Sequence, residues 1–83
     1  MVIWEQQAVD DLAELVGRDR RRAKALYETV QHMGKLGWAY MGRRTTGGLM
    51  YFPVAPFGVF YRLTPGELRV VQVVDARRLR KTP

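Results

Sequence analysis

The apolar residues of this chain change their spacing part-way along the sequence, which restricts the folds that the chain can adopt. Up to residue 33 they recur every three or four positions, a spacing that predicts two amphipathic helices. These residues are Ala8, Leu12, Leu15 and Val16 in the first helix, and Ala23, Leu26, Val30 and Met33 in the second. From residue 49 they form short β-branched and aromatic runs, which predict strands over Leu49–Val54, Phe57–Leu63 and Leu68–Val74.

The predicted order of elements is β-α-α-β-β-β, because Val2–Trp4 adds a short strand ahead of the helices. Two consecutive helices bury their apolar stripes by packing on one face of a mostly antiparallel sheet of about four strands, an α+β fold. A chain of 83 residues is too short to build two cores, so residues 1–83 are predicted to form a single domain.

Particular residues predict where the elements begin and end. Gly17 is expected to end the first helix, and Asp19 to cap the second. Pro65-Gly66 fits the centre of a type II turn between the last two strands. The glycine-rich stretch Trp38–Gly48 is predicted to be a loop. The last strand carries apolar residues on both faces, so we expect it to lie inside the sheet.

The composition excludes several catalytic and metal-binding chemistries. The chain has no Cys, no Ser and no Asn, and His32 is its only histidine. A disulfide, a Ser-His-Asp triad, a Cys-His pair and a zinc site built on several histidines are therefore excluded. We predict no metal and no cofactor. His32 falls in the middle of a helix that packs on the sheet, which favours a hydrogen-bonded structural histidine over a catalytic one.

The charge of the chain is strongly basic and unevenly distributed. The net charge is +6, and residues 1–16 hold four acidic and no basic residues, whereas the remainder holds all fourteen Lys and Arg. We expect one face to attract a polyanion, either nucleic acid or a nucleic-acid machine, and the alternatives are an acidic protein partner alone or no charged partner. No export signal and no apolar run of roughly 18–20 residues is visible, so a cytoplasmic protein without a membrane partner is predicted.

Four stretches of the chain together resemble one family of proteins. They are the first strand with Trp4, the helix start Ala8-Val9-Asp10-Asp11-Leu12, the strand Phe57-Gly58-Val59-Phe60-Tyr61-Arg62-Leu63 and the ending Val73-Val74-Asp75-Ala76-Arg77-Arg78. In their order and spacing they resemble a RelE/ParE-type toxin of a bacterial type II toxin–antitoxin system. The resemblance implies the fold given above. It also implies a cognate antitoxin as partner, whose acidic or amphipathic helical segment excludes the target.

The resemblance leaves two targets open. RelE-like toxins are mRNA interferases, endoribonucleases that cut mRNA on the ribosome and so inhibit translation, whereas ParE-like toxins poison DNA gyrase. The short turn around Gly17–Asp19 resembles the RelE side, while Gly42-Arg43, Pro56-Phe57 and Tyr61-Arg62 resemble the ParE side equally well. We expect a toxin that cleaves or blocks ribosome-bound mRNA. A gyrase inhibitor and an inactive toxin-like binding domain are the alternatives.

Cleavage of RNA by attack of a 2′-OH group requires a base, a cation that stabilises the phosphorane and an acid that protonates the leaving oxygen. The resemblance implies Arg77 and Arg78 as the cations, a role that suits the guanidinium fork. Tyr51 and Tyr61 are the candidate proton donors. Asp75 is either the base or an ion-pair partner of Arg77.

The pattern of basic residues in RelE-like enzymes is incomplete in this chain. Leu49, Tyr51 and Pro53 occupy the strand positions where those enzymes carry basic residues, and Gly58 stands where they carry an arginine. Cleavage and simple blocking therefore both stay open. The remaining cations predicted to bind nucleic acid, which we expect to gather in one pocket beside the last strand, are Arg43, Arg44, Arg62, Arg80 and Lys81.

Overall fold

The structure is a computed structural model that describes residues 1–36 and 42–79. Its elements follow the predicted order, with one strand and one short helix added. They are β1 (Val2–Trp4), α1 (Gln6–Arg18), α2 (Arg20–Leu36), β2 (Arg43–Arg44), β3 (Met50–Val54), β4 (Phe57–Thr64), β5 (Glu67–Asp75) and α3 (Ala76–Leu79), with a 3₁₀ turn at Thr46–Gly48.

The strands form one five-stranded mixed sheet in the order β1-β5-β4-β3-β2. Strand β1 runs parallel to β5, and the other neighbours are antiparallel. The α+β class is confirmed, and so is the inner position of the last strand. The count of about four strands is wrong, because Arg43–Arg44, predicted as loop, pairs with Met50 and Tyr51 as a short edge strand.

The helices α1 and α2 pack on one face of the sheet and share a single core with it. The predicted buried stripe of α2 is confirmed. For α1, the prediction that Val16 belongs to the buried stripe is wrong, because 44% of Val16 is exposed. Helix α1 also continues through Gly17 to Arg18. The buried core residues are Ala8, Leu15, Ala23, Leu26, Val30, Met33, Phe57, Val59, Tyr61, Leu68, Val70 and Val73.

A carboxylate ties α1 to the sheet where β1 ends. Strand β1 pairs only with Leu68–Val70, so the outer edge of β5 beyond Val70 has no strand partner among the described residues. The Val73 backbone N–H points to this edge and donates to Asp11 Oδ2 at 3.0 Å. Because an unpaired, partly buried N–H is costly, Asp11 stabilises the docking of α1 on β5.

The predicted cap and turn are both present. The Arg22 backbone N–H donates to Asp19 Oδ1 at 3.2 Å, which confirms Asp19 as the cap of α2. Gly66 has a φ of +75°, as the third position of a type II turn requires, so the β4–β5 hairpin is confirmed. No helix in the described part of the chain has the length and apolar character that crossing a bilayer requires.

Candidate nucleic-acid interface

The two faces of the sheet have different surroundings. Phe57, Val59 and Tyr61 of β4 are buried and face α1 and α2. The side chains between and after them therefore point to the opposite face, because successive strand residues alternate. Neither α1 nor α2 covers this opposite face, which we call the open face. From the strand pairing, its members are Ile3, Arg43, Tyr51, Pro53, Gly58, Phe60, Arg62, Thr64, Glu67, Arg69, Gln72 and Val74.

A pair of aromatic rings lies in the middle of the open face. Tyr51 on β3 is directly opposite Phe60 on β4, with ring centroids 4.9 Å apart and planes tilted by 56°. The Tyr51 ring also lies over Gly58, where a side chain would overlap it. Both aromatic residues are half-buried. Rings held on a sheet surface in this way are the platforms on which unpaired RNA bases stack.

Two arginines flank this aromatic pair. Arg43 is directly opposite Tyr51 across the β2–β3 pairing, and Arg62 follows two residues after Phe60 on the same face. Arg62 donates from Nη1 to the Gly47 carbonyl oxygen at 2.9 Å, which holds its guanidinium near the 3₁₀ turn. Among the described residues, neither Arg43 nor Arg62 has an acidic partner within ion-pair distance. Their positive charge is therefore available to an anionic ligand.

Arg69 lies beside Arg62 on the open face but is neutralised locally. Its guanidinium is 2.9 Å from Glu67 Oε2 and 3.8 Å from Glu5 Oε2. Since Arg62 and Arg69 are directly opposite each other in the β4–β5 pairing, these carboxylates also reduce the repulsion between them. Arg69 is therefore already paired with two carboxylates, and it does not offer an unpaired positive charge to a ligand.

Arg44 points to the other side of the sheet from Arg43, because neighbouring strand residues alternate. It lines a cavity of about 530 Å³ between β2, the 3₁₀ turn and the start of β3. We call this the edge cavity. Its described lining is Gly42, Arg44, Thr45, Gly48, Leu49, Met50 and Leu63.

Tyr61 lies in the core, on the helix-facing side, and none of its surface is exposed. Burial raises the pKa of its phenol above the ordinary value of 10.0, and a hydrogen bond with the Gly42 backbone acts more weakly in the opposite direction. A buried phenol with a raised pKa does not contact a substrate on the surface. Of the two predicted proton donors, Tyr51 alone lies on the open face.

Arg77 and Asp75 form an ion pair with two parallel hydrogen bonds. Arg77 donates from Nε to Asp75 Oδ1 at 3.0 Å and from Nη2 to Oδ2 at 2.8 Å, and its backbone N–H also donates to Oδ1. These contacts with Asp75 raise the pKa of the Arg77 guanidinium above its ordinary value. Of the two interpretations of Asp75, the structure therefore shows the ion-pair partner. The Arg77 side chain remains 64% exposed.

The predicted cations do not form a single pocket, so that expectation is wrong for the residues described. Strands β2 and β5 are separated by β3 and β4, which puts Arg43 about 14 Å from the line of β5. Asp75, which holds Arg77, is paired with Phe57, and Arg62 lies five residues further along β4, about 17 Å away. The Arg78 side chain, Arg80 and Lys81 lie outside the part of the chain that the structure describes.

The chain was also compared with known proteins. Neither a scan against protein-family models nor a search of curated proteins finds a match. Among the described residues, no group of three or more His, Asp or Glu side chains is placed to hold a metal ion.

His32 is exposed on α2 rather than packed on the sheet, and its Nδ1 lies 3.0 Å from the Glu28 carbonyl oxygen.

Sequence reasoning did not predict several residues of the open face, among them Phe60, Arg69 and Gln72. The alternation of Leu68, Arg69 and Val70 contains a signal for Arg69, because a charged residue between two apolar ones points away from the core. For Gln72 the alternation is interrupted by a β-bulge. Tyr61 pairs with Val70 and Phe60 pairs with Gln72, which leaves Val71 as the extra residue.

Proposed function

We propose that this protein is the toxin of a type II toxin–antitoxin pair and that it acts by binding ribosome-bound mRNA through the open face. The observation that carries the proposal is the Tyr51–Phe60 aromatic pair, flanked by the guanidinium groups of Arg43 and Arg62, which have no acidic partner among the described residues. Aromatic rings bind unpaired bases by stacking, and arginines bind the phosphates that link them. The net charge of +6 supports the same class of ligand.

Binding that blocks translation is favoured over cleavage. Among the described candidates, the Tyr61 phenol is buried and the Asp75 carboxylate is already held by Arg77. Tyr51 is therefore the one described candidate acid that an RNA on the open face can contact. A phosphate of the RNA would have to compete with the Asp75 carboxylate for the guanidinium group of Arg77. An arrangement with stacking rings and cations but few proton-transfer groups suits a binding toxin.

Two assays test the proposal. In the first, the chain is expressed in bacteria with and without a candidate antitoxin. In the second, the purified protein is added to translating ribosomes. We expect growth arrest without the antitoxin and inhibited translation, and mRNA 5′ ends are mapped to detect cleavage. Tyr51→Phe removes the hydroxyl and keeps the ring, whereas Tyr51→Ala removes both. If the toxin blocks by stacking, Tyr51→Phe remains toxic and Tyr51→Ala does not.

The matched charge control is Arg21→Ala, because Arg21 is an exposed arginine of α2, a helix that packs on the side of the sheet opposite to the open face. This variant should keep full toxicity, while Arg43→Ala combined with Arg62→Ala should lose it. New mRNA ends that vanish in Tyr51→Phe would instead establish cleavage with Tyr51 as the acid. Normal growth and unaffected translation with a folded, soluble protein would refute the proposal.

A ParE-like inhibitor of DNA gyrase is the second candidate. The same shortage of accessible proton-transfer groups favours it, because a gyrase poison needs no acid or base of its own. A supercoiling assay separates the two candidates. Loss of supercoiling or trapped double-strand breaks, together with unaffected translation, would favour gyrase. A toxin-like domain that only binds a partner would inhibit neither process.

We propose that the antitoxin lies on the helical hairpin. A groove of about 260 Å³ between α1 and α2 has apolar walls and two basic residues at its rim, Arg20 and Lys24. Its apolar members are Leu12, Val16, Ala23 and Tyr27, and Val16 and Tyr27 are both more than two-fifths exposed. An acidic amphipathic helix matches this combination of apolar wall and positive rim. Val16→Asp should then prevent copurification with the antitoxin, and unchanged copurification would refute the placement.

A further inference from the structure

The edge cavity is separate from the open face and is not used by the function proposed above. Arg44 pairs with Met50, and Leu63 is a helix-facing residue of β4, so the cavity lies on the same side of the sheet as the helices. The helices pack mainly on β5 and β1, at the other edge of the sheet. The inner side of β2 and β3 is therefore left with a recess of about 530 Å³, within the size range of small-ligand pockets.

The lining of the edge cavity is more polar than apolar, and it includes one apolar wall and one cation. Leu49, Met50 and Leu63 supply the apolar wall. Arg44 is exposed and, among the described residues, has no acidic partner within ion-pair distance. A recess with one apolar wall, an otherwise polar lining and a guanidinium group suits a heteroaromatic base that carries a phosphate, which is the chemistry of a nucleotide.

Local contacts hold the rim of this cavity open. The Thr45 hydroxyl donates to the Leu49 carbonyl oxygen at 2.9 Å, and the Thr45 backbone N–H donates to the same oxygen at 2.8 Å. Gly48 has a φ of +80°, a conformation that favours glycine, and a Cβ at this position would lie near Arg62 Nη1 rather than inside the cavity. The rim therefore has a fixed backbone shape.

We infer that the edge cavity holds one base of the bound RNA and that the RNA strand passes around the β2 edge of the sheet. This inference rests on the proposed RNA binding by the open face. Strand β2 has only two residues, and their side chains point to opposite faces. Arg43 binds a phosphate on the open face, and Arg44 binds a neighbouring phosphate beside the cavity. The base attached to that second phosphate packs against Met50 and Leu63.

The experiment uses the methyl group of Met50 as a reporter. The 83-residue chain is labelled with ¹³C at its methionine methyl groups, and the Met50 signal is assigned from Met50→Leu. Each of the four nucleoside 5′-monophosphates is then titrated in turn, and a short single-stranded RNA of mixed sequence is titrated separately. We expect at least one nucleotide and the RNA to shift the Met50 signal. The Met33 methyl, buried in the core, should stay in place.

Arg44→Ala is compared with Arg21→Ala in the same titrations. We expect Arg44→Ala to weaken nucleotide binding at Met50 about tenfold, the loss typical of one charge-assisted contact. Arg21→Ala should bind as the unmodified protein does. An Arg44→Ala variant that still moves Met50 with unchanged affinity would remove Arg44 from the site.

The inference and the proposed function fail in different ways. If the RNA binds while Met50 is unmoved by the RNA and by all four nucleotides, the inference is overturned and open-face binding stands. If the RNA does not bind at all and translation is unaffected, the proposed function is overturned. Shifts at Met50 that require both the phosphate and the base, tested with nucleosides and inorganic phosphate separately, support the nucleotide assignment.

Discussion

The Tyr51 ring lies across the backbone of Gly58 on the neighbouring strand, in the space that a side chain at position 58 would occupy. Gly58 is buried although it belongs to the open face, because this ring covers it. The ring also contacts Phe60, which is directly opposite Tyr51. The absence of a side chain at position 58 thus makes room for the Tyr51 ring of the aromatic pair that we propose to bind RNA.

Gly58→Ala should displace the Tyr51 ring and weaken RNA binding. A methyl group at position 58 overlaps the ring, so the ring must rotate away or the strands must separate. We expect a loss of about 1–3 kcal/mol in the free energy of unfolding, as for other overpacked sites. Denaturant unfolding measures the stability, and fluorescence anisotropy with labelled RNA measures the affinity.

Gly17→Ala is the matched control for that substitution. Gly17 lies in the last turns of α1, and nothing is within 4 Å of the position that its Cβ would take. Alanine should therefore stabilise the helix by about 0.5–1 kcal/mol and leave RNA affinity unchanged. Equal destabilisation by the two substitutions would show that steric overlap with Tyr51 is not the cause.

Asp11→Ala should destabilise the docking of α1 on β5. It removes the acceptor of the Val73 N–H, for which we expect a loss of about 1–3 kcal/mol in the free energy of unfolding. Asp11→Asn keeps an acceptor oxygen and should lose less. Asp10→Ala is the control, because within the described residues the Asp10 side chain accepts only from the exposed Gln6 side chain. Thermal unfolding of the three variants checks this order, and a loss for Asp10→Ala as large as for Asp11→Ala would contradict it.

Tyr61 should make the protein less stable at high pH. Its pKa is raised in the folded state, so between pH 10.0 and that higher pKa the unfolded chain releases a proton that the folded chain keeps. The free energy of unfolding should be unaffected by this group below pH 10.0 and should fall as the pH rises above it.

The fall in the free energy of unfolding at high pH is measured by denaturant unfolding at a series of pH values. Tyr61→Phe should flatten this part of the profile, since it removes the titrating phenol. Tyr51→Phe, which leaves the Tyr61 phenol in place, should retain the decline. An identical decline in Tyr61→Phe would show that another group is responsible.

Arg62→Ala should change how RNA affinity depends on salt. If Arg62 neutralises one phosphate of a single strand, its loss reduces the slope of log affinity against log salt by about 0.7. Arg21→Ala should leave the slope unchanged. Affinity is measured by anisotropy over a range of salt concentrations. Equal effects of the two substitutions would indicate diffuse attraction to the whole basic surface rather than binding at the open face.

Local rules in the sequence determined much of the fold. The three- and four-residue spacing of Ala23, Leu26, Val30 and Met33 defines one side of a helix wherever that helix packs, and all four are buried. The Asp19 cap and the Gly66 turn depend on the conformation of a few neighbouring residues. The uneven distribution of charge is likewise a property of the sequence itself.

Only the tertiary structure decided which predicted site residues share a surface. Tyr51 and Tyr61 are both strand tyrosines, yet one lies on the open face and the other in the core. That difference depends on strand pairing between residues distant in sequence, because a shift of one residue exchanges the two faces of a strand. The β2 edge strand also depends on three-dimensional placement, because Arg43 and Arg44 form a strand only by pairing with Tyr51 and Met50.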